Sequence, residues 1–218
     1  MADSPDPQRL GGLDWARRTG GRLTSRERNR LLAAIALGQW ENLLGRAKLA
    51  LGRLPAGARD VDLDTFTVPD SRFAREAEQA CAELPDALVG HSYRTWLFGR
   101  ALAAVDRREL DAELFYCGSL LHDHGIARPA SGRDFALGSA DRTLECARGA
   151  MVDGAGLRIW DVAPANVSEV LRRHPRVDFK RQLVAMIRAE AAAVPGGRFQ
   201  LLVRCGLPLA VRIAPFDA

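Results

Sequence analysis

The sequence predicts an all-α fold, and three observations carry that prediction. Apolar residues recur at spacings of three and four along most of the 218 residues. Helix-start and helix-stop chemistry brackets these stretches, with Ser, Thr or Asp in front and Pro or Gly behind. No segment alternates apolar and polar residues cleanly enough to predict a strand. A chain of this length, 47% hydrophobic, supports one sizeable core with an arm. The expected organisation is an N-terminal helical extension over residues 1–69 and a single helical domain over 70–218, closed by a short extended tail.

Taken in order, the first element announces itself by Thr24 and Glu27, which have the spacing of a capping box. Behind it, Leu32, Ile35, Ala36, Gln39, Trp40, Leu43, Ala47 and Leu51 fall on or near one helical face. "LPAGARD" ends that helix. Residues 55–70 have no strong period and close in "VPDS", a turn and a new cap. Residues 72–84 read as helix again, up to Pro85. Residues 91–105 and 108–123 form the next two helices, the second with Leu110, Leu114, Cys117 and Leu121 as its buried stripe. Gly125 is expected to stop it in the left-handed conformation. After the loop "ARPASGR", residues 134–148 are helical, with Phe135, Leu137 and Leu144 to bury. Segments 165–173 and 178–193 are helical on either side of "HPR". The tail from Phe199 to Phe216 alternates loosely and is expected as a short hairpin or extended arm.

Composition narrows the function. The net charge is +4, and lysine occurs only at Lys48 and Lys180. The arginines are scattered and mostly stand beside acids, as in "SRERNR" and "DRREL", so no nucleic-acid partner is expected. The longest apolar run, "LLAAIALG", is far short of a membrane span, so no membrane partner is expected either. The first ten residues are polar and acidic, which predicts a cytoplasmic protein without a secretory leader. Cys81, Cys117, Cys146 and Cys205 are far apart and are expected as small buried hydrophobes rather than zinc ligands.

The chemistry concentrates in "GSLLHDHGIA", where His122, Asp123 and His124 stand in a row at a helix end. Adjacent residues on a helix project about 100° apart, yet His122 and Asp123 can flank one ion lying over that end. Imidazole and carboxylate are both ligands for zinc, iron or manganese. The alternative is a core histidine, a solvated Asp123, and a His124 that favours the negative helix terminus. His91 shifts the balance. It opens the preceding helix, and antiparallel packing sets that start against the end of the 108–123 helix. His91, His122 and Asp123 then gather at one end of the helix pair. Arg94, three residues on and nearly on the face of His91, either holds an anionic substrate bidentately or pairs with Asp111 or Glu113. Asp111 either orients a buried partner or is solvated. His124 is either a base behind the metal ligands or, the stronger expectation, an exposed histidine at the helix end.

On these residues the chain resembles the HD-domain superfamily, and within it the cyanamide hydratase-like branch. The matching text is "GHSYRTWLFGRAL", then "DAELFYCGSLLHDHGIA", then "GAMVDGAG" and later "HPRVDFK", across roughly residues 70–217. The resemblance implies a helical metal-dependent hydrolase, or a hydratase that adds water to a nitrile-like carbon, acting on a small molecule. It places His91, His122, Asp123 and Asp153 as ligands of a divalent ion (zinc, iron or manganese); with Arg94 on nearly the face of His91, Asp123 and Arg94 are the residues expected at the chemistry. Two departures stand out. His124 replaces the bulky apolar residue usual in the family. Only 30 positions separate Asp123 from Asp153, where the family carries a further helix or two. The short interval predicts a pocket open on that side, apolar surface of residues 91–123 left uncovered, and a homodimer formed through the gap. The alternative function is a non-catalytic helical scaffold or ligand-binding protein with an incomplete metal site.

Overall fold

The computed structural model describes residues 10, 13–52, 60–146 and 163–213, and strand is absent among these described residues. Among these residues ten α-helices follow one another: α1 (Leu13–Thr19), α2 (Ser25–Ala50), α3 (Arg72–Ala82), α4 (Asp86–Asp106), α5 (Ala112–Leu121), α6 (Phe135–Cys146), α7 (Pro164–Arg173), α8 (Phe179–Ala193), α9 (Arg198–Arg204) and α10 (Leu207–Ile213). Single 3₁₀ turns cover Leu63–Thr65 and His124–Ala127. The all-α expectation is met.

Local chemistry accounts for the ends of these helices. The Thr24 amide donates to Glu27 Oε2 at 2.7 Å, and the Glu27 amide donates to Thr24 Oγ1 at 3.3 Å, which is the reciprocal capping box at the start of α2. Ser71 caps α3 by accepting from the Ala74 amide at 3.0 Å. Asp111 caps α5 by accepting from the Leu114 amide at 2.9 Å, so its role is structural. Arg107 ends α4 with a left-handed φ of 54° and donates its amide to the Ala103 and Ala104 carbonyls.

The centre of the molecule is the antiparallel pair α4 and α5, with α3, α6, α7 and α8 packed around it. Leu88, Trp96, Leu97, Tyr116, Leu120 and Leu121 form the heart of the core, joined by Val170 and Ile187 from α7 and α8. Tyr116 stands edge-on to Trp96 and donates its hydroxyl to Glu78 of α3 at 2.6 Å. Asn166 of α7 clamps the segment before α3, exchanging two hydrogen bonds with the Val61 backbone at 3.0 and 2.6 Å. Trp15 of α1 is fully buried, and α1 packs on α6.

The structure corrects several expectations. The tail is not an extended arm: α9 and α10 are helices that pack on α8, which gives their apolar residues a partner a free strand would lack. α4 begins at Asp86, a turn and more before His91. Gly90 is therefore inside the helix, where a Cβ would come within 3.0 Å of Arg94 Nη1. Gly125 does not adopt the left-handed conformation; the chain continues into the turn at His124–Ala127, which lies on α6. The Leu114 of the expected stripe is exposed, because α5 buries its second half on nearly all sides and leaves its first turn at the surface. Cys81 and Cys117 are buried as expected, whereas Cys205 is exposed at the end of α9. The apolar surface of residues 91–123 is covered, by α3, α6, α7 and α8, and Leu114 is its only exposed large hydrophobe. No uncovered apolar gap is seen there among the described residues, while the short interval itself, residues 147–162, lies outside them. Exposed apolar side chains gather instead on α2, where Leu37, Trp40, Leu43 and Leu44 are all exposed. No described helix is long and apolar enough to cross a membrane.

Candidate metal centre

His91 sits in the second turn of α4, and His122 and Asp123 follow the last turn of α5. Antiparallel packing of the two helices brings all three together. Nε2 of His91 lies 3.2 Å from Asp123 Oδ2, and Nε2 of His122 lies 3.3 Å from the same oxygen. The two imidazole rings are 5.3 Å apart between centroids. One donor atom from each residue fits within a set no wider than 4.8 Å, and it is the only such group of three among the described residues. Bonds of about 2.0–2.2 Å to one ion place two ligand atoms no more than roughly 4 Å apart, and both nitrogen–oxygen separations meet that limit. The side chains are partly exposed, from 15% for Asp123 to 29% for His91, so the centre opens to solvent.

The backbone fixes the orientation of His122. Its Nδ1 lies 2.8 Å from the Ser119 carbonyl oxygen, one turn back in α5. A carbonyl only accepts, so Nδ1 carries the proton and donates, and Nε2 is turned toward Asp123. Metal-binding histidines are commonly held this way at the nitrogen away from the ion. His91 is held differently, stacked on the Phe179 ring at 5.2 Å.

The three groups settle one another electrostatically. Burial alone would push the Asp123 carboxyl up, but the two imidazoles outweigh it and hold the group well below the usual carboxylate range. Burial opposes charge on His122, and Asp123 and the Ser119 carbonyl more than compensate, so its pKa rises. On His91 burial wins and the pKa falls, with His122 and Arg94 adding to the effect.

The other expected site residues go to different places. Arg94 is buried and pairs with neither Asp111 nor Glu113. Its Nη1 donates to the His174 and Pro175 carbonyls at 2.9 and 3.2 Å, and its guanidinium lies 4.9 Å from the Phe179 ring centre. Burial and then the nearby Arg176 pull its pKa down to about 10, so it stays charged at neutral pH. Its Nη2 is buried with no hydrogen-bond partner among the described residues. His174 lies outside the metal cluster, stacked on Tyr93 with the rings 5.1 Å apart. His124 is not the exposed helix-end residue expected; it is buried in the turn beneath α6. Asp153 lies outside the described residues. Sequence reasoning missed Phe179 and Ser119. A phenylalanine just after a Pro-containing turn carries no signal of its own, and the Ser119 contribution comes from a carbonyl that every residue has.

The chain matches no model of a known protein family and no curated protein. The residues themselves therefore carry the functional reading.

Proposed function

We propose that the chain is a metal-dependent hydrolase or hydratase of the HD type, acting on a small molecule. The observation that supports this most directly is the convergence of His91 Nε2, His122 Nε2 and Asp123 Oδ2, with the far nitrogen of His122 anchored on the Ser119 carbonyl. Two neutral imidazoles and a carboxylate suit zinc, iron or manganese. A divalent ion held there supplies Lewis acidity and a water acidified toward neutrality. The protein's own residues do the rest. His91, His122 and Asp123 bind. The Ser119 carbonyl and the Phe179 ring orient the two imidazoles. Arg94 fixes the turn at residues 174–175 and keeps a cationic group near the centre, which favours an anionic substrate such as a phosphate ester over a neutral nitrile.

Elemental analysis of the gently purified chain tests the reading. Near one zinc, iron or manganese per chain is expected, lost in His91→Ala and Asp123→Ala and kept in His174→Ala. Equal metal in all three variants overturns it. One observation favours a second reading, a helical scaffold without catalysis. Asp123 Oδ2 is within hydrogen-bond range of both imidazoles, so once His122 carries a proton on each ring nitrogen, as its raised pKa favours, the three groups satisfy one another with no ion between them. That reading expects a wild-type chain without metal and with no turnover of phosphate esters or nitriles under added manganese.

A further inference from the structure

We propose that the uncovered face of α2 pairs with the same face of a second copy, antiparallel, about a two-fold axis that crosses the helix between positions 41 and 42. The helix has two sides of different burial. Leu31, Ile35, Gly38, Gly45 and Arg46 are half-buried on the side toward the body, where Arg46 donates to the Ile213 carbonyl of α10 at 2.9 Å. The opposite side is exposed and apolar. Leu32, Trp40 and Leu43 are 38%, 59% and 57% exposed, and Leu51, just past the helix end, is 70% exposed.

That exposed side fits itself. An isologous contact requires that if position i meets position j, then j meets i. Reflecting the sequence about the point between 41 and 42 sets Trp40 on Leu43, Ala36 on Ala47, Ala33 on Ala50 and Leu32 on Leu51. Large meets large at the centre and at the ends, and small meets small between them. All eight residues are exposed in one chain. Six of them, Ala33, Ala36, Trp40, Leu43, Ala47 and Ala50, occupy the two seam positions of a heptad repeat, alternating three and four residues apart, with Leu32 and Leu51 beside the seam at its two ends and Leu37 and Leu44 exposed along one flank. The alanine layers let the helix axes approach closely, toward the lower end of the usual 8–10 Å. From these exposures the patch comes to roughly 600 Å² on one copy, the upper end of the largest apolar patch a monomer usually leaves uncovered. Two copies together reach about 1,200 Å², the lower bound of a stable interface. The competing occupant is an acidic partner or an anionic membrane, because the helix carries Arg26, Arg28, Arg30, Arg46 and Lys48 against Glu27 and Glu41. Charge alone does not require the mirrored order of large and small residues, and self-pairing does.

Sedimentation of the full chain at micromolar concentration tests the proposal. A dimer is expected, weakened roughly thirtyfold or more in Trp40→Glu, as for loss of a central anchor, with unchanged helix content by circular dichroism. The orientation has its own readout in a Cys205→Ser background. A mixture of Ala36→Cys and Ala47→Cys chains is expected to form a disulfide between copies under mild oxidation. Ala36→Cys alone is not, since its two copies would lie about 16 Å apart along the axis, beyond disulfide reach. A monomeric wild-type chain overturns the proposal, whether or not it binds vesicles of anionic phospholipid. A dimer indifferent to Trp40→Glu, or efficient self-crosslinking of Ala36→Cys, overturns it as well.

Discussion

Glu190 is the least comfortable residue in the core. It is 1% exposed, it accepts the Phe135 amide at 2.8 Å, and its second oxygen has no hydrogen-bond partner among the described residues. Burial raises its pKa above 4.5; Asp134 adds to the rise, while the Phe135 amide and Arg198 oppose it. The folded chain thus binds this proton more tightly than the unfolded chain does. Its contribution is fully present below about pH 4.5 and is lost as pH rises through the folded pKa. Glu190→Gln keeps the carbonyl acceptor and removes the charge. Relative to wild type, its urea midpoint is expected to gain as pH climbs from 4.5 to 7.5. A difference between the two proteins that does not change with pH would contradict this. At the metal centre, the residue scale was largely legible. His91, His122 and Asp123 could be gathered from residue type and helix order alone. The destination of Arg94 could not, because its partners are backbone carbonyls eighty residues away.

Between elements, two glycines set the distances. A Cβ on Gly99 of α4 would lie 2.2 Å from Phe115 Cζ of α5, so this pair of helices packs with a ring against bare backbone. Gly99→Ala is expected to cost about 1–3 kcal/mol by overpacking, read from the denaturant midpoint, because the ring has some freedom to tilt away. Gly125 has no such relief. A Cβ there would sit 1.9 Å from the Phe135 carbonyl oxygen, and its amide donates to Ser139 Oγ at 2.8 Å. Gly125→Ala is expected to cost more than Gly99→Ala, about 3 kcal/mol or above. If the smaller loss fell at Gly125, the turn beneath α6 would not be as tightly seated as described. The sequence signalled a special glycine here but suggested the wrong reason. A helix stop and a close backbone approach look alike in one dimension. The C-terminal pair α9 and α10 was illegible for a related reason. Each is only seven residues long, too short to establish a period, and their apolar residues are placed by docking on α8. Where Thr24 and Glu27 gave local chemistry, the start of α2 was read correctly.

For the whole molecule, an ion that binds only the folded chain adds its binding energy to folding. At a free concentration 100 times its dissociation constant this amounts to about 2.7 kcal/mol. Zinc or manganese is therefore expected to raise the melting temperature of the metal-stripped protein and to leave that of Asp123→Ala unmoved. An equal rise in both would place the binding elsewhere. The fold class and the meeting of α4 with α5 were legible because they depend on periodicity and chain order. The burial of Trp15 and the exposure of α2 were not, since both depend on which surfaces find partners. Those two features are connected through Glu27, whose Oε1 accepts the Trp15 indole at 2.7 Å while Oε2 caps α2. In mechanical terms α2 is a cantilever of about 39 Å, clamped at its root by the Glu27 carboxylate and by the bond from the Leu23 amide to the Gly196 carbonyl, and stayed near its tip by the bond from Arg46 to the Ile213 carbonyl. A tilt of about 10° at the root would carry the tip through about 7 Å. Neutralising Glu27 slackens the clamp, so Glu27→Gln should make amides near residue 46 exchange faster, some twenty residues from the substitution.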